Sequence, residues 1–277
     1  MENALVLGTF DGVHIGHRAV IDAAKGFNII AVTFEYPPKN NGKEKSLITL
    51  PEKRYEILKE CGVNEIKVLD FSKVKDISPV KFLENLNEKY APKLICCGFN
   101  YRFGKNASGD SKLLLDFCEK NGIALKVAKK VESDGCPVSS TEIRHLISQG
   151  EIEKANKMLS YKFSFCEKVV NGDHRGRTLG FPTVNQVYPD DLVKPKFGVY
   201  ATCVEVDGML YKGISNIGIR PTFQTDTVMS ETYIKNFSLN IYGKAVTIYL
   251  EKFIREEKKF ENAEQLKTAI SNDIKYI

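Results

Sequence analysis

The length, composition and charge of the chain favour a globular protein of one large domain or two ordinary ones. Of its 277 residues, 43% are hydrophobic, which is enough for well-packed cores. The formal net charge of +5 comes from interspersed acids and bases. So mild a charge suits anionic small molecules and does not argue for nucleic acid as a partner.

The sequence carries neither a targeting signal nor a disulfide pattern. It enters an apolar strand at once, without the basic and apolar regions of a signal peptide, and no apolar run approaches the length of a membrane span. The seven cysteines are odd in number and include no C-x-x-C pair, which is typical of reduced, packed thiols. We therefore expect a cytoplasmic protein.

The first half of the chain alternates short apolar runs with helical patterns. Strands are predicted at residues 4–8, 28–36, 65–71, 93–98 and 123–131, and helices at residues 18–25, 51–61, 79–90 and 111–120. This alternation predicts a doubly wound α/β sheet of parallel strands, with ligands at the carboxyl ends of the strands. The polar stretch 37–45 is either a loop that covers a substrate or an idle surface loop.

The pattern changes after residue 160. Residues 199–206 and 209–215 flank Asp207-Gly208, and residues 237–242 and 245–253 flank Gly243-Lys244, so two β-hairpins are predicted. A small antiparallel barrel, closed by a helix at residues 261–276, is the economical architecture. The helical stretch 151–159 links the two patterns, which places the domains at residues 1–158 and 159–277.

Two of the four histidines lie in the run Gly8-Thr-Phe-Asp-Gly-Val-His-Ile-Gly-His17, directly after the first strand. A glycine-containing turn between strand and helix presents free N–H groups to an anion. The imidazoles of His14 and His17 can donate further hydrogen bonds to phosphate. Single histidines are more often surface imidazoles, and Asp11-Gly12 is in itself an ordinary turn. Both histidines in one junction favour a nucleotide site.

A second candidate element is Ser139-Ser-Thr-Glu-Ile-Arg144, which opens a helix after the last strand of the same sheet. Ser139 and Glu142 have the spacing of a capping box, which needs no ligand. Three hydroxyls at a helix N-terminus, with an arginine one turn later, also suit a triphosphate. The run from Gly98 to Lys105 is not a P-loop, because it has one residue too many between its glycines.

These two motifs resemble the H-x-G-H and S-S-T-x-I-R signatures of nucleotidylyltransferases, specifically those of bifunctional prokaryotic FAD synthetases. Thr33-Phe34-Glu35, Gly98-Phe-Asn-Tyr-Arg-Phe-Gly104 and Gly109-Asp110 are similar to further landmarks of that family. Residues 172–185 and 216–223, with Glu231, are similar to its riboflavin kinase module. The resemblance covers nearly the whole chain. It implies a Rossmann-like nucleotidylyltransferase domain followed by a small β-barrel domain with a C-terminal helix.

The resemblance also implies two reactions. The second half phosphorylates riboflavin to FMN with ATP, and the first half adenylylates FMN to FAD with release of pyrophosphate. Mg²⁺ is the implied cofactor, and ATP, riboflavin, FMN and FAD are the substrates and products. We expect small-molecule partners, no nucleic acid, no membrane, and a monomer or weak homo-oligomer.

In the kinase half, glycines allow close approach of the backbone to phosphates, an arginine adds charge, and side-chain oxygens suit Mg²⁺. The residues in question are Gly172, Gly176, Arg177, Thr183 and Asn185. The resemblance assigns to Glu231 the role of base for the riboflavin 5′-hydroxyl. Taken alone, a glutamate at the start of a strand is usually solvated surface.

In the adenylyltransferase half, the phosphate of FMN is already a nucleophile, so positioning and charge stabilisation supply the catalysis. His14 and His17 are expected to steady the α-phosphate. The departing phosphates are expected to lie on Ser139, Ser140, Thr141 and Arg144. By resemblance, Asn100 approaches the nucleotide, and Phe10 with Asp11 shapes the turn that begins at Gly8. Phe10 is equally well explained as a core residue.

Three alternatives stay open. In the first alternative only one half is active; Pro37 contributes to it, because it stands where relatives often have a histidine. In the second, the chain is a different H-x-G-H enzyme, such as a cytidylyltransferase with a flavin-binding barrel. In the third, it is a non-enzymatic flavin-sensing or RNA-binding protein that uses Arg175 and Arg177 to contact phosphates. Tyr233 and Phe237 fit the aromatic platform of that last alternative and a flavin ring equally well.

Overall fold

The computed structural model describes residues 1–37, 46–172, 180–221 and 226–277. They form two compact units, Met1–Glu142 and Ile143–Ile277. None of the helices in those ranges combines the length and the apolar character that a bilayer crossing needs.

The first unit is built on a five-stranded parallel sheet. Its strands are β1 (Asn3–Leu7), β2 (Asn28–Phe34), β3 (Glu65–Leu69), β4 (Leu94–Gly98) and β5 (Ala124–Ala128). Their order in the sheet is β3-β2-β1-β4-β5, which confirms the predicted doubly wound sheet. The order reverses at β1 and β4, and the carboxyl ends of strands at such a point are where ligands bind in α/β folds.

Helices and short elements surround this sheet. They are α1 (Ile15–Asp22), α2 (Pro51–Glu60), α3 (Phe71–Val74), α4 (Pro79–Tyr90), α5 (Ser111–Lys120), the start of α6 (Ser140–Ser148), a 3-10 turn (Lys105–Ala107), and the paired β6 (Glu132–Ser133) and β7 (Cys136–Pro137). The predicted bounds of α4 and α5 are confirmed, and each helix is capped, by Ser78 and Asp110 respectively. The predicted start of α1 at Arg18 is wrong, because the His14 side chain caps the helix and α1 begins at Ile15, three residues earlier.

The second unit is a six-stranded antiparallel barrel that is nearly closed. Its strands are β8 (Ser164–Lys168), β9 (Thr183–Val187), β10 (Gly198–Val206), β11 (Met209–Pro221), β12 (Asp226–Ile234) and β13 (Ala245–Arg255), in the order β8-β13-β10-β11-β12-β9. The edges approach each other, since Val170 N–H donates to the Asn185 carbonyl at 2.8 Å. The helices are α7 (Ile152–Leu159) and α8 (Ala263–Asp273), and a 3-10 turn (Ile274–Tyr276) follows α8. The predicted barrel with its closing helix is confirmed.

Only one of the two predicted hairpins forms. Strands β10 and β11 pair up to Val206 and Met209, as predicted. Residues 237–242 form no strand, and β13 pairs with β10 and β8 instead. Phe237 packs edge-on against Tyr211 at 5.0 Å, and the Asn240 side chain accepts the Tyr242 N–H at 3.2 Å, so local contacts hold this segment out of the sheet.

All seven cysteines lie in the described ranges and carry free thiols. Cys96, Cys97 and Cys118 are buried, and burial raises the pKa of Cys96 to about 11 and that of Cys97 to about 12. Cys136 and Cys166 are exposed, so the expectation of packed thiols does not hold for these two.

Candidate active sites

The histidine turn, residues 8–17, connects the carboxyl end of β1 to the first turn of α1. Phe10, Gly12 and Val13 all have positive φ, so the backbone is tightly coiled here. His14 caps α1, and its Nδ1 accepts the His17 N–H at 3.3 Å. A neutral His14 therefore carries its proton on Nε2, from which it can be donated to a phosphate oxygen.

The two imidazoles form one stacked pair. Their ring centroids are 3.6 Å apart with an interplanar angle of 16°. Burial, the neighbouring His14 and the Arg54 guanidinium, in that order, hold the pKa of His17 well below its usual value. Two stacked imidazolium ions would repel each other, so His17 is favoured as a neutral imidazole.

Phe10 and Asp11 support the turn from within. Phe10 is fully buried and meets the His17 ring edge-on at 5.3 Å. Asp11 is also fully buried, and its carboxylate accepts backbone N–H groups of Ile48 and Thr49 at 3.0 and 3.4 Å. Asp11 thus holds the backbone around the turn, the burial of Phe10 fits both a core residue and a residue that shapes the turn, and any contact of either with a nucleotide stays a prediction.

The N-terminus of α6 lies against the same turn. The Ser140 hydroxyl donates to the Asp11 carbonyl at 2.9 Å, and Ser139 accepts the Glu142 N–H at 3.1 Å. The structure therefore brings the serine motif and the histidine motif together, although they are far apart in the chain. Thr141 is exposed at this end of the helix. Arg144 lies one turn further on, in the part of α6 that belongs to the second unit.

Gly8 and Asn100 lie at neighbouring strand ends. Gly8 follows β1 directly, and its N–H donates to the Val32 carbonyl at 3.3 Å. Asn100 follows β4, which pairs with β1 in parallel, and its side chain is exposed. Since carboxyl ends of parallel strands share one edge of the sheet, Asn100 and the histidine turn lie on that edge.

The second unit contains a cavity of about 310 Å³ on the outer side of the barrel, which we call the barrel cavity. Residues from β9, β11 and β12, the end of β13, and α8 line it; those used below are Thr183, Asn185, Arg220, Glu231, Tyr233 and Arg255. Phe181 and Tyr233 meet edge-on at 5.7 Å and offer apolar rings to a planar ligand. Phe237 is outside the cavity lining.

Glu231 lines this cavity from β12, between strands β9 and β11. It is in register with Asn185 on β9 and with Asn216 on β11. Its carboxylate forms an ion pair with Arg220, and its side chain keeps 28% exposure. It is therefore a fixed carboxylate that a ligand in the cavity can reach.

Thr183 and Asn185 lie on the same side of β9, two residues apart, and both line the barrel cavity. Asn185 is 5% exposed, and its side-chain oxygen is buried without a hydrogen-bond partner among the described residues. Gly172 lies so close to this amide that a Cβ there would be 2.3 Å from its nitrogen. An unsatisfied oxygen beside a hydroxyl fits a hard cation such as Mg²⁺.

Two of the expected phosphate ligands, Gly176 and Arg177, lie outside the described residues, as does nearly all of the stretch 37–45. Two functional candidates were missed by sequence reasoning. Arg220 forms the ion pair with Glu231, and Arg54 is a fully buried cation near His17. Arg54 had a detectable signal, because it occupies the apolar side of α2 with Pro51, Ile57 and Leu58.

Comparisons with known proteins point to one family. The family model described as FAD synthetase matches residues 1–142, and that described as riboflavin kinase matches residues 159–277. A bifunctional riboflavin kinase/FMN adenylyltransferase of Listeria monocytogenes is 34% identical and covers 99% of this chain and 90% of its own length. The protein of that name from Bacillus subtilis is 33% identical, with coverage of 98% and 90%.

The fold matches a solved structure over almost its full length. A crystal structure titled macrolide-efflux protein from Streptococcus pneumoniae superposes with a TM-score of 0.92 at 30% identity, and covers 99% of this chain and 93% of that one. Both family models, and the relatives over nearly the full length, confirm the family that the motifs resemble. The chain belongs to the family of bifunctional riboflavin kinase/FMN adenylyltransferases.

Proposed function

We propose that the chain catalyses two successive steps of flavin cofactor synthesis, phosphorylation of riboflavin to FMN and adenylylation of FMN to FAD. One observation carries the proposal: each unit gathers the groups that its own reaction needs. The histidine turn and the serine end of α6 meet in the first unit. Glu231, Thr183 and Asn185 share the barrel cavity in the second.

In the kinase reaction, Glu231 accepts the proton of the riboflavin 5′-hydroxyl while that oxygen attacks the γ-phosphorus of ATP, and ADP leaves. The ion pair with Arg220 fixes the direction of the Glu231 carboxylate. Thr183 and Asn185 would hold Mg²⁺, which when bound neutralises charge on the phosphates of ATP. Arg177 and the backbone at Gly172 and Gly176 complete the proposed phosphate site.

In the adenylyltransferase reaction, a phosphate oxygen of FMN attacks the α-phosphorus of ATP, and pyrophosphate leaves from the opposite side. This nucleophile needs no base, so hydrogen-bond donors are the main requirement. His14 and His17 bind the α-phosphate, while Ser139, Thr141 and the free N–H groups of α6 receive the pyrophosphate.

Three further residues support these donors. The Ser140 hydroxyl donates to the Asp11 backbone carbonyl, so we propose that its main role is to hold α6 against the histidine turn. Asn100 contacts the nucleotide from the next strand. Arg144 adds charge one turn into α6.

We assign adenylylation to residues 1–158 and phosphorylation to residues 159–277. The riboflavin kinase match begins at residue 159, which supports this boundary, although α7, just before it, packs against β13 of the barrel. We place the enzyme in the cytoplasm, where free thiols persist, as a monomer or weak homo-oligomer that acts on small molecules.

The test is to supply the purified chain with riboflavin, ATP and Mg²⁺ and to separate FMN and FAD by chromatography. A parallel reaction starts from FMN and follows pyrophosphate, so that each step is read alone. We expect FMN first and FAD later, with ATP preferred over CTP. If FMN forms from riboflavin but neither reaction yields FAD, only the kinase activity is supported. A preference for CTP would favour a different nucleotidylyltransferase.

A further inference from the structure

The largest fully buried side chain of the described residues is a charged one, Arg54. It lies in the first turn of α2, on the side of the helix that is otherwise buried through Pro51, Ile57 and Leu58. Placing a guanidinium, which stays protonated at any physiological pH, on an apolar helix face is costly. The position therefore calls for a reason other than packing.

Only one of the three guanidinium nitrogens of Arg54 donates a hydrogen bond to a described residue. Nη2 donates to the carbonyl oxygens of Phe34 and Glu35 at 3.0 and 2.7 Å. Nε and Nη1 are shielded from solvent and have no partner among the described residues, and no carboxylate there pairs with Arg54. Within the part of the chain that the structure describes, backbone carbonyls hold the positive charge in place and no carboxylate neutralises it.

The clamped carbonyls lie beside the histidine turn. Phe34 ends β2, which pairs in parallel with β1 up to Leu7 and Val32. One residue before Phe34, the Thr33 hydroxyl donates to the Thr9 carbonyl at 3.0 Å within the turn itself. The guanidinium thus holds the strand end on which the histidine turn rests.

The electrostatics agree with this placement. Burial is the main cause of the lowered His17 pKa, and among the described residues His14 and then Arg54 lower it further. The carboxylate of Asp11, three residues before His14, accepts backbone N–H groups of Ile48 and Thr49. The surroundings of the histidine pair are therefore positive and rich in donors, which favours a bound anion over a cation.

We propose that Arg54 is a positioning residue for FMN adenylylation, which clamps the end of β2 against the histidine turn and supplies a buried positive charge to the phosphoryl groups held there. This inference rests on the proposed adenylyltransferase activity. Because the cation is already buried and oriented in the free protein, it needs no reorganisation as negative charge develops at the α-phosphate.

The test compares Arg54→Met, Arg54→Lys and the control Lys53→Met, which removes a charge from the exposed side of the same helix turn. kcat and KM for FAD formation from FMN are measured across pH, and FMN formation by the same preparations reports on the second unit. For Arg54→Met we expect kcat to fall at least about tenfold, while KM changes less than about threefold. Lys53→Met should match the unmodified chain.

The pH profile separates this role from a merely structural one. If neutral His17 is the active form, Arg54→Met moves the acid limb of kcat/KM to higher pH, because a cation that lowers the His17 pKa is gone. The position of that limb does not depend on how much enzyme is folded. Arg54→Lys keeps the charge and should leave the limb in place, but a single ammonium cannot reproduce the fork geometry, so kcat should fall.

Three results would overturn the inference. They are an unchanged kcat in Arg54→Met, an unmoved limb in that variant, or an unchanged kcat in Arg54→Lys. Should Arg54→Met fail to fold, Arg54→Lys decides the question alone. An unmodified chain that makes no FAD would instead contradict the proposed function itself.

Discussion

Gly172 offers a sharp test of the proposed metal and phosphate site, through the substitution Gly172→Ala. Its φ is not in the left-handed region, so alanine adds no backbone strain. The new Cβ would lie 2.3, 2.5 and 2.8 Å from the amide nitrogen, carbon and oxygen of Asn185. Cβ contacts shorter than 3.0 Å are essentially never seen in proteins, and ordinary van der Waals contact is 3.4–4 Å. The Asn185 side chain must therefore move by about 1 Å.

That displacement should slow the kinase reaction and leave the adenylyltransferase reaction unchanged. Asn185 is 5% exposed and cannot swing out into solvent. A misplacement of about 1 Å in a positioning group can cost roughly 100-fold in rate. We therefore expect kcat/KM for FMN formation to fall about 100-fold, with a higher Mg²⁺ requirement, because the oxygen that faces the metal has moved.

The assay is FMN formation against Mg²⁺ concentration, with FAD formation from supplied FMN as the internal control. A double-mutant cycle isolates the cause. In an Asn185→Ala background, Gly172→Ala should have no further effect, because the clashing amide is absent. Additive losses, or kinase activity in Gly172→Ala close to that of the unmodified chain, would refute the reasoning.

Four further outcomes are expected. Glu231→Gln should lower FMN formation on the order of 100-fold or more while FAD formation from FMN continues; equal loss of both would contradict independent sites. His17→Ala should do the converse, and unimpaired FAD synthesis in this variant would remove the histidine turn from catalysis. Arg255 pairs with Asp273 at 2.8 Å and ties down α8, a wall of the barrel cavity, so Arg255→Met should raise KM for riboflavin more than it lowers kcat. In a native thiol-labelling experiment read by peptide mass spectrometry, Cys136 and Cys166 should react before the buried Cys97, whose pKa of about 12 keeps it protonated; early labelling of Cys97 would contradict the structure.

Local signals explain why much of the fold was predictable. The β10–β11 hairpin needs positive φ at both central residues of its turn, and Asp207 and Gly208 have φ of 50° and 78°. At the second predicted hairpin the turn lies one residue earlier than expected, because the Lys244 N–H donates to the Ile241 carbonyl at 3.1 Å and makes Tyr242 and Gly243 the central residues. The dipeptide pattern alone could not separate these cases, because a Gly-Lys pair also fits the type II′ turn of a hairpin.

The candidate sites likewise contain residues that the sequence could reveal and residues that it could not. The histidine turn was recognisable because its residues are contiguous, so one motif contains the cap, the coiled backbone and both imidazoles. Arg220 with Glu231, and Arg54 with the end of β2, are tertiary pairs between residues 11 to 20 positions apart. Helical periodicity places Arg54 on the apolar side of α2, but only the packed structure indicates what the charge is near.

The contrast between the two sites follows from the nucleophiles that they activate. An alcohol such as the riboflavin 5′-hydroxyl needs a base, and the second unit exposes a carboxylate, Glu231, inside its cavity. The phosphate of FMN is already anionic, so a free carboxylate would repel it. In the first unit the buried carboxylate of Asp11 accepts backbone N–H groups, and the proposed site combines the two imidazoles, a helix N-terminus and the Arg54 cation. The second unit thus presents a carboxylate where a proton must be removed, and the first unit keeps its carboxylate away from the place where two anions must meet.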